Sequence, residues 1–162
     1  MLVRPLEDDA WPAFYPVLVD VVAAGETYAY PEGLGSSEAR ELWVESPPGL
    51  TVVAVSDAGV VLGSAKAGPN RPARGSHVAT ASFIVAPSAR GQGVGRQLGE
   101  WALQWARDQG YAALQFNAVV ETNIAAVALW RDLGFTVVGT VPDAFDSATH
   151  GRVGLHVMHR YL

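Results

Sequence analysis

Hydrophobic and polar positions follow two different periods along this chain. Over residues 11–22, apolar side chains recur at offsets 0, 3, 4, 7, 8 and 11, which predicts an amphipathic helix. Two β-branched runs at residues 50–56 and 60–67, separated by Asp57-Ala-Gly59, predict a hairpin. The complete prediction is strands at residues 2–4, 50–56, 60–67, 77–85, 112–120, 135–140 and 151–159, with helices at 11–22, 37–45, 93–109 and 123–133.

The predicted order of elements is β α α β β β α β α β β. The strand–helix–strand unit at its centre makes two central strands parallel, whereas the hairpins on either side make the other pairs antiparallel. We therefore expect an α/β (α+β) three-layer sandwich with a mixed, mostly antiparallel sheet. Its length of 162 residues predicts a single domain over residues 1–162.

A glycine-rich turn joins the predicted central strand to the helix that follows it. The apolar run at residues 83–86 ends at Pro87, glycines follow at positions 91, 93 and 95, and a helical apolar face starts at Val94. Unpaired N–H groups and the dipole of a helix N-terminus favour a phosphate there. Arg96 replaces the last glycine of a dinucleotide fingerprint, and the lysine of a Walker loop is missing.

Composition narrows the classes of protein that fit. The net charge of −5 argues against non-specific binding to nucleic acid, and no stretch approaches 18 apolar residues, so no membrane partner is expected. The absence of cysteine excludes disulfides, cysteine-ligated zinc and a cysteine nucleophile. The acidic start does not resemble a signal peptide, and we expect a cytoplasmic protein without a metal.

Two motifs together resemble the GNAT family, the Gcn5-related N-acetyltransferases. Arg90-Gly-Gln-Gly-Val-Gly95 is similar to that family's pyrophosphate loop, Q/R-x-x-G-x-G/A. The segment from Asn123 to Phe135 is similar to its later motif, N-x-x-A-x-x-L-Y-x-x-L-G-F, except that Trp130 replaces the tyrosine. Asn123 also suits a helix N-cap, and Gly134 suits the left-handed position that ends the helix.

The resemblance implies acetyl-CoA as co-substrate and two central strands that splay apart. The pantetheine arm would pair with the free edge of the strand, and backbone N–H groups of the glycine turn would hold the pyrophosphate. A backbone N–H near Val85 would stabilise the oxyanion. The residues expected to bind acetyl-CoA are Phe83, Ile84, Val85, Arg90, Gly91, Gln92, Gly93, Val94, Gly95, Arg96, Asn123 and Trp130.

The acceptor is expected to be the amine of a small molecule, such as an amino acid or its analogue. The aromatic and acidic loop at residues 25–35 would cover it, with Tyr28 and Tyr30 as walls and Glu26 or Glu32 holding the amine. Asn117 interrupts a predicted strand, where its amide needs partners. It either occupies a bulge or positions the substrate.

Proton transfer is where this chain departs from the family. An indole N–H only donates, so Trp130 can bond the sulfur but cannot act as an acid, and it is equally consistent with core packing. Either CoA leaves as a thiolate or another group, such as Tyr28, supplies the proton. His77 is a candidate base through water or simply a strand-start histidine, and Glu121 is a further candidate base.

Two other functions stay open on the sequence. The chain could acetylate proteins or peptides, or it could be a catalytically silent acyl-CoA sensor, because Trp130 replaces the usual acid. The family resemblance also implies a homodimer, for which the C-terminal strands are candidates.

Overall fold

A seven-stranded sheet runs through the protein, and two helices cover each of its faces. The computed structural model describes residues 1–162. Helices α1 and α2 pack on one face, and α3 and α4 pack on the other. The elements are β1 (Leu2–Pro5), α1 (Trp11–Ala23), α2 (Ser36–Trp43), β2 (Leu50–Val55), β3 (Val61–Pro69), β4 (Val78–Val85), α3 (Val94–Asp108), β5 (Ala113–Val120), α4 (Ile124–Asp132), β6 (Thr136–Ser147) and β7 (Gly151–Tyr161).

The sheet is mixed, with strands in the order β1-β2-β3-β4-β5-β7-β6. Only β4 and β5 are parallel, and every other neighbouring pair is antiparallel. The predicted three-layer sandwich and the predicted order of elements are therefore confirmed. No helix is both long enough and apolar enough to span a bilayer.

The two parallel strands diverge soon after they meet. Their pairing is limited to Val78 with Ala113 and Ala79 with Leu114, although β4 continues to Val85 and β5 continues to Val120. A bulge between Phe116 and Val119 bends β5 further. A gap therefore opens between the two strands toward their carboxyl ends, and we refer to it as the central cleft.

The α1–α2 face is anchored by aromatic side chains. Phe14 and Trp43 are fully buried with ring centroids 5.6 Å apart, and the Trp43 indole donates a 2.8 Å hydrogen bond to the buried Ser64 hydroxyl. Helix α1 begins at Trp11 and includes Pro16.

The β6–β7 hairpin is longer than its sequence predicts. We expected β6 to end at Thr140, but it runs to Ser147 because two bulges absorb Val138 and the segment Pro142–Ala144, which break the alternating pattern. The hairpin tip consequently reaches the loop after α1, where the Ala148 N–H donates to the Gly25 carbonyl at 3.0 Å.

Helices α3 and α4 approach closely at Gly99. A β-carbon placed there would lie 2.7 Å from Leu133 Cδ1 and 2.8 Å from Trp130 Cζ3. Gly99 itself is buried in α3. The missing side chain therefore forms the slot that receives the Trp130 indole.

We predict that Gly99→Ala destabilises the fold, because the added methyl overpacks the contact with α4. The expected loss is about 1–3 kcal/mol in the free energy of unfolding, measured by urea titration. Gly139→Ala is the matched control, since nothing lies within 4 Å of its added β-carbon. Equal stabilities of the two variants would contradict a tight slot at Gly99.

Candidate active-site cleft

The glycine turn lies at the open end of the central cleft. Gly91 and Gly93 have positive φ angles of 75° and 80°, which glycine adopts at little cost, and nothing lies within 4 Å of a β-carbon built on either. Helix α3 follows with Val94 buried, and its first backbone bond runs from the Gln97 N–H to the Gly93 carbonyl. The N–H groups of residues 94–96 therefore have no acceptor within the helix.

Two arginines next to this turn differ in their partners. Arg90 is exposed and has no ion pair, whereas Arg96 pairs with Asp132 of α4 at 3.1 Å. Both members of that pair are largely exposed, so the pair adds little stability and can exchange for another anion. The turn thus offers free amides and one free positive charge, which suits a diphosphate.

The Tyr28 hydroxyl enters the cleft from the α1–α2 side. It donates to the Phe83 carbonyl at 2.8 Å and accepts from the Phe83 N–H at 3.0 Å. Burial raises the pKa of Tyr28 far above its ordinary value, and the neighbouring Tyr30 raises it further. The hydroxyl therefore stays neutral at physiological pH, and it replaces the β5 backbone as the partner of Phe83.

An aromatic cluster closes the other side of the cleft. Trp130 lies 4.6 Å from Phe83 and 4.8 Å from Phe116 between ring centroids, and the Phe116 ring stacks on Phe135 at 4.3 Å. The Trp130 indole is buried, but its Nε1 makes no hydrogen bond within the protein. Because no buried side-chain nitrogen lacks a partner, this Nε1 must reach the protein surface.

Three amide side chains form a polar group on the open face of β5. Asn117 donates to Asn70 Oδ1 at 2.6 Å and accepts from Gln115 Nε2 at 2.8 Å. Asn117 lies in the bulge of β5, and Asn70 directly follows β3. The exposed Arg71 and Arg74 lie in the same loop as Asn70, so the acidic chain carries positive charge here.

Glu26 fastens the loop after α1 to the β6–β7 hairpin. Its carboxylate accepts from the Ser147 hydroxyl at 2.6 Å, the Thr149 hydroxyl at 2.9 Å and the Thr149 N–H at 3.0 Å. His150 Nδ1 lies 3.7 Å away. The Ser147 hydroxyl above all, with the Thr149 donors and His150, holds the pKa of Glu26 below its ordinary value.

The structure brings some predicted residues together and separates others. Tyr28, Phe83 and Trp130 meet at the cleft, and Asn123 caps α4 by accepting from the Ala126 N–H at 3.3 Å. His77 lies before β4, with its Nδ1 3.1 Å from the Arg74 carbonyl oxygen. It is six residues from Phe83, or roughly 20 Å along an extended strand, and its role as a base stays a prediction.

Three further groups named in the sequence analysis already have partners within the protein. The Glu26 carboxylate accepts three hydrogen bonds from the hairpin, and its role in holding an amine stays a prediction. Glu121 is also engaged, because its carboxylate accepts from the Gly154 N–H. The edge of β4 is not free at Phe83, where Tyr28 already bonds both backbone groups.

Sequence reasoning missed the partners of these residues rather than the residues themselves. Asn70 falls in a segment that its prolines and glycines mark only as an exposed loop. Ser147, Thr149 and His150 lie beyond the predicted end of β6. Their contacts with Glu26 span about 120 positions along the chain, and no local pattern reports such a distance.

Comparison with known proteins shows which family the sequence matches. The sequence model of the acetyltransferase (GNAT) family matches residues 5–135. N-acetyltransferase aca1 of Schizosaccharomyces pombe is 37% identical over 97 residues, which cover 60% of this chain and 46% of that protein. The L-methionine sulfoximine/L-methionine sulfone acetyltransferase of Pseudomonas aeruginosa is 35% identical over 107 residues, covering 64% and 62% respectively. The chain thus spans about half the length of these relatives.

Solved structures share the whole fold. A GCN5-related N-acetyltransferase from Kribbella flavida is 56% identical, with a TM-score of 0.96, and the match covers 99% of this chain and 97% of that one. The acetyltransferase yncA of Salmonella typhimurium, solved with acetyl-CoA, is 25% identical with a TM-score of 0.83, covering 100% and 94%.

We predict that Glu26→Gln destabilises the protein at neutral pH and that this effect fades in acid. A carboxylate whose pKa is lowered by folding stabilises the folded state at any pH above its pKa in the unfolded chain, which is about 4.5. This stabilisation is lost as the pH falls through the pKa of the folded state. Thermal unfolding of both proteins from pH 7 to pH 3 measures the difference. Glu32→Gln, in the same loop and exposed, is the control. A difference that does not change with pH would contradict this role.

Proposed function

The chain belongs to the acetyltransferase (GNAT) family, and on that premise we propose that it transfers an acetyl group from acetyl-CoA to the amine of a small molecule. The observation that carries the proposal is the central cleft, which leads from the glycine turn to the Tyr28 hydroxyl. A strand-like arm can lie along the edge of β4 between the glycine turn and Phe83 while a diphosphate sits on the free amides of α3. The bound acetyl-CoA in the yncA structure supports the same co-substrate.

The reaction is a direct attack in a ternary complex. The amine nitrogen forms a bond to the thioester carbon, the carbon–sulfur bond breaks, and its electron pair leaves on sulfur. The proton lost by the amine passes to solvent or to the thiolate, giving the amide and CoA. Placing both reactants side by side supplies most of the acceleration, which reaches roughly 7–11 kcal/mol in favourable cases.

Trp130 has a limited part in this reaction. Its Nε1–H can donate to the departing sulfur, but an indole cannot give up that proton to it. The high pKa of Tyr28 makes its hydroxyl a poor acid as well. CoA therefore leaves as a thiolate, which is reasonable for a thiol whose ordinary pKa is about 8.5.

The acceptor site lies on the open face of β5, beside the amide group of Asn117 and Asn70. Amides can hold both the amine and the carboxylate of an amino acid, and the exposed Arg71 adds positive charge nearby. The relative that acetylates L-methionine sulfoximine favours an amino acid or its analogue. The cytoplasmic location and the homodimer stay predictions from the sequence.

We predict that Gln92→Glu weakens CoA binding about tenfold, because it adds a negative charge beside the proposed diphosphate site. Gln92 is exposed, so the fold should not change. Isothermal titration with CoA gives the affinity. Gln109→Glu adds the same charge at the other end of α3 and serves as the control. Equal affinities of the two variants would place the nucleotide elsewhere.

We predict that Asn117→Ala lowers turnover at least tenfold and leaves acetyl-CoA affinity within about twofold, because the amide orients the acceptor rather than the donor. Thiol release is measured with acetyl-CoA and a panel of free amino acids, their analogues, other amines and peptides. Gln104→Ala, on the exposed side of α3, is the control. Activity confined to peptides, or equal losses in turnover and affinity, would contradict the assignment.

A further inference from the structure

We infer that Tyr28 is a specificity-determining residue: it ends the acyl site and restricts the donor to acetyl-CoA. This inference rests on the proposed function, because it requires the pantetheine arm to lie in the central cleft. The residues that carry it are Tyr28, Phe83 and Trp130, which meet where β4 and β5 have separated.

The backbone of β4 fixes the order in which the arm meets these groups. The Ala86 N–H bonds Leu62 of the neighbouring β3, whereas the backbone groups of Phe83 point the other way, into the cleft. Because strand residues alternate, Val85 and Ala81 also direct their backbone groups into the cleft. An arm that starts at the glycine turn therefore reaches Val85 first and Phe83 about 7 Å later.

At Phe83 the arm meets an occupied edge. The Tyr28 hydroxyl satisfies both the N–H and the carbonyl there, so no hydrogen-bonding site is left for a further pantetheine group. To pass this point, a longer acyl chain must displace the hydroxyl. That would leave two backbone groups of Phe83 and the Tyr28 phenol without their partners, which is costly for polar groups inside a protein.

Tyr28 cannot easily move aside. Its ring packs on Trp43 at 5.8 Å and on Tyr30 at 5.3 Å between centroids. The loop that carries it is fastened to the hairpin by the Glu26 carboxylate and by the bond from Ala148 to Gly25. A chain longer than acetyl consequently meets a fixed wall rather than a mobile loop.

The opposite side of the cleft gives no second route. The Phe83 and Trp130 rings are 4.6 Å apart, and Trp130 is itself seated in the slot at Gly99. Tyr28 on one face and the Phe83–Trp130 pair on the other thus bound the cleft at the depth of Phe83.

A chain-length series tests this inference by direct binding, without an acceptor. Dissociation constants are measured by isothermal titration for CoA and for acetyl-, propionyl-, butyryl- and octanoyl-CoA, and each acyl-CoA is compared with CoA. We expect acetyl-CoA to bind at least as well as CoA. Butyryl- and octanoyl-CoA should bind at least about tenfold more weakly than CoA, in line with the discrimination that added methylenes can produce.

Smaller side chains at position 28 should admit longer acyl chains in a stepwise manner. Tyr28→Phe removes one oxygen and should admit propionyl-CoA as well as acetyl-CoA. Tyr28→Ala removes the wall and should bring butyryl-CoA within about twofold of acetyl-CoA. Tyr161→Ala, which removes an exposed aromatic ring at the end of β7, is the control and should keep the wild-type series.

The outcomes separate the inference from the proposed function. If wild type binds butyryl-CoA as well as acetyl-CoA, Tyr28 does not end the site, although the acetyltransferase proposal stands. If wild type binds no CoA at all, the proposed function fails and the inference fails with it. If Tyr28→Ala does not fold, the dissociation constants of wild type and of Tyr28→Phe still test the inference. The same dependence on chain length in Tyr28→Phe as in wild type would overturn the role of the hydroxyl.

Discussion

Two hydrogen bonds join the Tyr28 phenol to the backbone N–H and carbonyl of Phe83, at the point where the central strands separate. A sheet that opens in its middle leaves backbone groups without a neighbouring strand, and buried groups of that kind are costly. Tyr28 meets this need at Phe83 from the α1–α2 side. The cleft can therefore stay open where β4 and β5 part, and the same interaction defines how deep it is.

The surroundings of Tyr28 show how a loop becomes a fixed part of a site. The loop after α1 has little regular structure of its own, yet Glu26 joins it to the tip of a long hairpin. Aromatic packing on Trp43 then connects it to the main core of that face. The hydrogen bonds of Glu26 therefore fix the position of the loop that carries Tyr28.

Much of this architecture is readable from local patterns, and the reasons for the exceptions are physical. Periodicity predicts the order of all eleven elements, because each amphipathic segment records the face that it buries. The Asn123 cap and the Gly134 terminus of α4 are confirmed for the same reason, since both act within one helical turn. Contacts between distant segments escape such reading. The Tyr28–Phe83 bonds, the Asn117–Asn70 pair and the fastening of Glu26 all depend on how the sheet brings remote residues together.

The slot at Gly99 also limits the size of side chains on two different helices. Trp130 stands where the family motif has a smaller tyrosine, and its outer ring edge fills the space that any side chain at position 99 would need. The sizes of the side chains at the two positions are therefore coupled although the positions lie on different helices. A smaller ring at position 130 would relieve one of the two close approaches to a side chain at position 99, and the approach of Leu133 would remain.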